Sequence, residues 1–328
     1  MAVLVLLAAC SGSSSGSTPA RVATAAPTTT VPPTTTTTTV PATSAAPGPP
    51  AARPEPPLPV AVQELAAAAT GDHLYMIGGY NANQNSTTGA FVFDGTAWSP
   101  GPALPVALNH PAAAAIGSQV YEAGGFGPGG ASNRAFVLDA GATRWREIAP
   151  MHHARGAGVL VALDGRLLAI GGRAGNAQIA APESFDPTTG HWNDLAPLPH
   201  PRNHLSAYVD GGRVCVAGGR EPATSARVDC LDPASAAWQP GPTLPTPTSG
   251  AASGVVGAVV VVAAGGEPAD ESHLVTTVQE WHDGAWSSEA MLAPRHGTGY
   301  ALFRGRLWMC GGATAPGFHA TNACTSLG

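Results

Sequence analysis

The sequence predicts an all-β fold, a β-propeller of six four-stranded blades. Two periodicities carry this expectation. Gly-Gly pairs recur at Gly78-Gly79, Gly124-Gly125, Gly171-Gly172, Gly218-Gly219, Gly265-Gly266 and Gly311-Gly312, in steps of 46, 47, 47, 47 and 46 residues. Trp98, Trp145, Trp192, Trp238 and Trp286 keep the same beat. A period near 47 residues, in which an apolar run ends on Gly-Gly, fits a small sheet that buries its faces only by stacking on copies of itself. Composition agrees: 41 Gly and 32 Pro suit many short strands joined by tight turns. The repeat runs without a break through residues 51–328, so that span is read as one domain.

The chain opens on an apolar run, Ala2–Ala9, that ends Leu7-Ala8-Ala9-Cys10. These four residues resemble a bacterial lipobox. The resemblance implies a lipoprotein-type signal segment at 1–10, a lipid on Cys10 and anchorage on the outer side of the bacterial cell membrane. The run lacks a basic n-region and is too short to span a bilayer as a helix. Residues 11–50 are mostly Ser, Thr, Pro, Ala and Gly, with Arg21 as their one charge. Without apolar periodicity no core forms, and a disordered linker is expected. As a coil it would reach about 35 Å, enough to lift a folded head off a surface. Gly12-Ser13-Ser14-Ser15-Gly16 matches the nucleophile-elbow pattern in letters only, because that motif needs a strand before it and a helix after it.

One repeat can be read from Arg155 to Leu195. Gly156–Leu163 is a buried innermost strand. Asp164-Gly165 signals a two-residue hairpin, and Arg166–Ile170 is the second strand, closed by Gly171-Gly172. A polar loop follows, then a third strand over Pro182–Asp186 and an outermost strand carrying Trp192. The double Gly permits backbone conformations closed to residues with a Cβ. The Trp supplies a large apolar plate between neighbouring blades.

With its Gly-Gly pairs, its phased Trp residues, its Asp94-Gly95, Asp186-Pro187 and Asp232-Pro233 turns and its Pro201-Arg202 and Pro294-Arg295 steps, the chain resembles the kelch family. The resemblance spans about 275 residues and implies one propeller blade per repeat. The sixth repeat stops before any sixth Trp. Ala52–Pro59 aligns with Trp98–Pro105, so the segment around Arg53–Pro57 is expected to supply the missing outer strand of the last blade. Prolines there are tolerated on an outer edge.

Cys215 and Cys230 fall in the second and third strands of blade four, and Cys310 and Cys324 take similar places in blade six. One cross-strand disulfide per blade is the simplest pairing in an exported protein.

Net charge is −6, and all 15 basic residues are Arg. No cationic surface is available for nucleic acid. The loops that enter each innermost strand and those that follow each Gly-Gly share one face. There they gather Gln63, Glu64, Tyr80, Asn109, His110, Arg155, Arg173, Arg202, Asn203, His204, Arg220, Ser249, Glu267, Arg295 and His296. Kelch resemblance implies a pocket-lining role for Arg202 and Arg295, and by alignment for Arg155. Guanidinium groups favour carboxylate or phosphate partners, so an anionic protein, peptide or glycan is the expected ligand, taken up by a monomer without cofactor or metal. The bland reading, that each Arg braces neighbouring backbone, weighs equally for any single residue.

Glu122 stands two residues before Gly124, where the other repeats carry Met76, Ala169, Val216, Ala263 and Met309. It is a candidate general base with His110 or His204, against the more common role of a structurally paired carboxylate. His152-His153 read as solvated loop, and Asn81, Asn83 and Asn85 lack the acidic ligand that a calcium loop needs. Two functions compete: an extracytoplasmic binding module, and an exported enzyme, since the chain resembles in blade number some exported kelch propellers that act on acidic sugars, for example sialic acid mutarotases. Copper chemistry of the galactose oxidase kind is disfavoured because the cysteines are committed to disulfides. Fold alone settles neither.

Overall fold

A computed structural model describes residues 51–221, 223–263 and 272–328. The expected signal segment, the linker and Glu267 lie outside the described residues. Six antiparallel four-stranded sheets surround a central axis. Their innermost strands touch in sequence, and the sixth returns to the first. From axis to rim, blade one comprises Ala66–Ala69, Leu74–Ile77, Ala90–Phe93 and Trp98–Pro100, and blade three Val159–Leu163, Arg166–Ile170, Glu183–Asp186 and His191–Asp194. The innermost strands of blades two, four and five are Ala112–Ile116, Ser206–Asp210 and Ala252–Val256.

Blade six is built from both ends of the propeller. Gly299–Phe303, Arg306–Cys310 and Cys324–Leu327 form its inner three strands, and Ala52–Glu55 is the outer one. Ala52 pairs with Leu327 and Glu55 with Cys324. The expected closure is therefore the observed one. Beyond the strand, the Leu58 and Val62 amides donate to the Asn322 and Thr321 carbonyls. Pro54 sits opposite Thr325 on the open edge, where its missing donor costs no inner ladder bond.

The Gly-Gly pairs owe their place to contacts between blades. The second Gly of each described pair donates its N–H to a carbonyl in the link entering the next blade. Gly79 bonds Leu108, Gly125 Arg155, Gly172 Arg202, Gly219 Thr248 and Gly312 Val62, at 2.8–3.0 Å. The approach leaves no room for a side chain. A Cβ on Gly124 would lie 2.5 Å from the Arg155 carbonyl oxygen, and its φ of +84° is left-handed.

The tryptophans stitch the outer rim. Trp98, Trp145, Trp192 and Trp238 each donate Nε1–H to a carbonyl of the preceding link, at Pro56, Pro102, Ala149 and Ala196, over 2.8–2.9 Å. The cores lie between blades: Tyr121 and Val137 of blade two pack with Leu160, Phe185 and Trp192 of blade three, and Met76 and Phe93 of blade one pack with Phe303 and Trp308 of blade six.

At the axis a second circuit runs around the ring. The amides of Glu64, His110, Ala157, His204, Gly250 and Gly297 each donate to the carbonyl of the equivalent residue in the preceding blade, and Glu64 closes the circle onto Gly297. The six bonds span 2.7–3.2 Å. All six residues have positive φ, between 49° and 66°.

Both expected disulfides form. Cys215–Cys230 and Cys310–Cys324 each join residues directly opposite one another in the second and third strands of a blade. The second pins Cys324–Leu327, the strand on which the closing segment lies. Each cross-link should stabilise by about 3 kcal/mol through loop closure. Removing residues 51–57, or making the Cys310→Ser/Cys324→Ser double variant, is therefore expected to lower the melting temperature by several degrees and broaden the transition as the ring opens. The Cys215→Ser/Cys230→Ser variant should lower it without broadening. Calorimetry distinguishes the two, and equal sharpness in both would refute a special role for blade six.

Candidate functional site

Arg155, Arg202 and Arg295 stand two residues before the axial circuit in blades three, four and six, and they turn inward. They are 3%, 0% and 2% exposed, so a ligand cannot reach them. Arg202 donates from Nε to the Gly218 carbonyl (2.6 Å), from Nη2 to the Val216 carbonyl (3.0 Å) and from Nη1 to Asp229 Oδ2 (2.6 Å). Arg155 repeats the arrangement with the Gly171 carbonyl and Glu183 Oε1 (2.6 Å). Glu183 also accepts the His152 and His153 amides. Arg295 meets the Met309 carbonyl and the Thr325 hydroxyl (3.0 Å); burial without a carboxylate lowers its pKa to about 10. The structure thus gives the expected pocket arginines a bracing role: each ties its link to the second and third strands of its own blade.

The equivalent slot is solved differently elsewhere. Blade two places Leu108 there, with Phe136 at the third-strand position. Blade five places Thr248, and Gln279 bonds both backbone groups of Thr246.

Glu122 is fully buried, with neither carboxylate oxygen partnered. It lies opposite Ala113 and Phe136 on the face of blade two that meets blade one, among Ile77, Leu104, Val120 and Phe136. Its structural counterpart in blade five is Val262, one residue before the position counted from Gly-Gly. Desolvation drives its pKa well up, and only Arg134 opposes this. No described contact links it to His110 or His204, so the expected acid–base pairing with them does not form.

The carboxylate beside the histidines is Glu64. It projects from the axial circuit toward His110 Nε2 (3.2 Å) and His296 Nδ1 (3.3 Å). A Cβ on Gly297 would fall on this carboxylate, so the glycine makes its berth. The His110 and His204 rings meet edge to face with centroids 4.9 Å apart. One donor atom from each of Glu64, His110 and His204 lies within 4.8 Å of the others.

Each of those two histidines is oriented by the asparagine before it. Asn109 donates its amide to Ser86 Oγ and the Phe126 carbonyl, which turns Oδ1 toward His110 Nδ1 at 2.6 Å. Asn203 donates to Gln178 Oε1 and turns Oδ1 toward His204 Nδ1. Burial holds the pKa of His110 low, and that of His204 well below its ordinary value. Desolvation opposes ionisation of Glu64, but the neighbouring His110, His296 and His204 outweigh it and keep its carboxyl far below the usual range.

Around this cluster stand the residues that follow Gly-Gly. Tyr80 and Phe126 edge onto His110, Arg173 lies 4.8 Å over the Phe126 ring, and Phe318 edges onto Tyr80. Arg220 reaches Ser249 Oγ at 3.1 Å. Below lies an axial cavity of about 360 Å³, walled by small residues such as Ala67, Ala112, Ala114 and Gly158. Tyr300 of blade six crosses it and accepts the Ala207 amide of blade four at 3.1 Å. His152 and His153 lie apart, near Asp194. Asn81 Oδ1 is taken by the Asn83 and Asn85 amides in a local turn.

Two substitutions test these assignments. Arg202→Leu strands Asp229 in the interior and should cost about 3–5 kcal/mol in urea unfolding, whereas Arg202→Leu/Asp229→Leu, imitating blade two, should recover most of it. Glu122→Met should stabilise by about 1–3 kcal/mol at pH 8, because a buried unsatisfied carboxyl is removed. Its folded pKa is raised, so the native state holds a proton that the unfolded state releases, and wild-type stability should fall as pH rises above about 4.5. In Glu122→Met this contribution should vanish.

Comparison with known proteins agrees with the repeat. The Kelch motif matches residues 107–152 and 154–199. Human Kelch-like protein 33 is 40% identical over 57 residues, covering 17% of this chain and 11% of that protein. Human Kelch repeat and BTB domain-containing protein 13 is 38% identical over 66 residues, 20% of this chain and 14% of that protein. Mouse Kelch domain-containing protein 7A is 40% identical over 74 residues, 22% and 9%. The chain thus spans a small part of each relative. The solved structure of YjhT superposes with a TM-score of 0.72 at 17% identity, covering 82% of this chain and 95% of that one; it shares the fold. The chain is a six-bladed β-propeller that carries Kelch motifs.

Proposed function

We propose that the protein is an exported binding propeller, anchored through a lipid on Cys10 and carried on the 11–50 linker. It takes an anionic peptide or glycan at the mouth of its axial cavity. One observation carries the reading: Arg173 and Arg220 follow Gly-Gly pairs on the side of the axial histidines, Arg173 stacked on Phe126 beside Tyr80 and Phe318, whereas Arg155, Arg202 and Arg295 are buried inside the blades. Guanidinium groups supply bidentate donors for carboxylate, and aromatic rings supply flat apolar faces for a sugar ring or side chain. The two disulfides suit an oxidising compartment.

The test is a calorimetric titration with acidic sugars and acidic peptides. A hit should weaken at least tenfold in Arg173→Ala and in Arg220→Ala, with melting temperature unchanged. Binding that survives both substitutions removes the mouth as the site. For the anchor, Cys10→Ser should move the protein from the membrane fraction to the medium.

A second reading is favoured by the Glu64–His110–His204 cluster. A carboxylate beside two imidazoles can pass protons, as an exported enzyme of the sialic acid mutarotase type would require. It predicts faster anomer exchange of an acidic sugar by NMR, abolished in Glu64→Gln. Binding without faster exchange leaves the binding module as the function.

A further inference from the structure

The axial cluster contains an unresolved pairing of lone pairs. The Asn109 amide is held by Ser86 and Phe126, so its Oδ1 must accept, and His110 Nδ1 must carry the proton. The other nitrogen, Nε2, then presents a lone pair toward Glu64 Oε2 at 3.2 Å. Two acceptors face each other. Asn203 sets His204 in the same tautomer through its own bond to Gln178. His296 Nε2 meets the Ala315 carbonyl at 3.2 Å, which turns its Nδ1 to the Glu64 carboxylate. Three imidazoles thus converge on or beside one carboxylate, at a site closed to bulk water on most sides. Such an arrangement needs a positive charge at its centre, either a proton or a metal ion.

We infer that Glu64, His110 and His204 form a site for one divalent transition ion of the Zn²⁺ class, with His296 beside it. Two neutral imidazole Nε2 atoms and one carboxylate are a recurrent ligand set for zinc, with a further coordination position left open. Here that position faces the axial cavity. The supporting contacts are also those of a metal centre: each ligating imidazole gives its other N–H to a fixed oxygen, which sets tautomer and ring angle. The backbone adds rigidity, because all three ligands sit on the axial circuit with positive φ of 49–53°. The inference stands on this cluster and holds whether or not the mouth takes an organic ligand. It replaces the sequence-based expectation of a metal-free site.

The test uses the full chain, stripped with a chelator and titrated with Zn²⁺ against a chromogenic competitor. One equivalent should bind and raise the melting temperature. His110→Asn and His204→Asn preserve a residue that tolerates left-handed backbone, and each should weaken Zn²⁺ at least 10–100-fold while keeping the native circular dichroism spectrum. Glu64→Gln should do the same. His152→Ala, at the second cluster of exposed His152 and Asp194 with buried Glu183, should leave the stoichiometric site intact. No Zn²⁺ uptake by the wild type, or uptake lost in His152→Ala and retained in the axial variants, overturns the inference in favour of a protonated His110–Glu64 pair.

Discussion

The circuit of six backbone hydrogen bonds at the axis is the constraint on which the rest of the molecule depends. It joins the blades where their innermost strands begin and fixes the spacing of everything around the channel. It also imposes left-handed backbone at six positions. Gly250 and Gly297 adopt that conformation freely, but Glu64, His110, Ala157 and His204 each bear a cost of about 1–2 kcal/mol. A chain selected for stability alone would carry glycine there. Three of the four exceptions bear the side chains that converge on the axis, which is where strain is most often tolerated for function.

Further out, the blades share a geometry without sharing its chemistry. The slot two residues before the circuit holds Arg202 against Asp229, Arg155 against Glu183, Arg295 against Thr325, Leu108 in blade two and Thr248 in blade five. What is common is a side chain that fills the space between the link and the third strand; the arginines meet most of their hydrogen bonds there, but Arg155 Nε, Arg295 Nε and Thr248 Oγ1 stay unpartnered. Buried ion pairs are weak evidence for stability, and the apolar solution in blade two shows that the fold does not require them. Glu122, in the second strand of blade two, is a carboxylate with neither oxygen partnered. It has lost the apolar residue of its counterparts Met76 and Met309 without gaining a partner.

The repeat period made the architecture legible, because a four-stranded unit needs near-constant length to pack on its neighbours. Even the closing strand followed from comparing Ala52–Pro59 with Trp98–Pro105. The site was harder to read. The arginines of the links, Arg155, Arg202 and Arg295, point equally in sequence to a guanidinium turned outward or inward, and only the partners Glu183, Asp229 and Thr325, distant in sequence, decide it. Glu64 could be placed on the correct face but not ranked above Glu122, since its importance comes from His110, His204 and His296 on three other blades. The one available signal was the Asn-His pair, at Asn109-His110 and again at Asn203-His204. Its repetition at equivalent points of two blades marks a shared orientation of two imidazoles.

The same topology couples closure of the ring to assembly of the site. Glu64 enters the axis a few residues after Ala52–Glu55, the segment that completes blade six, and its amide donates to Gly297 of that blade. His110 and His204 come from blades two and four, and His296 from the link into blade six. The cluster draws on blades one, two, four and six. If the closing strand parted from Cys324–Leu327, the bond between Glu64 and Gly297 would lose its support and the carboxylate would leave its berth. The Cys310–Cys324 bridge opposes that opening at the strand where it would begin. A covalent fastening at the rim therefore acts, through a ring of backbone bonds, on the position of a carboxylate at the axis.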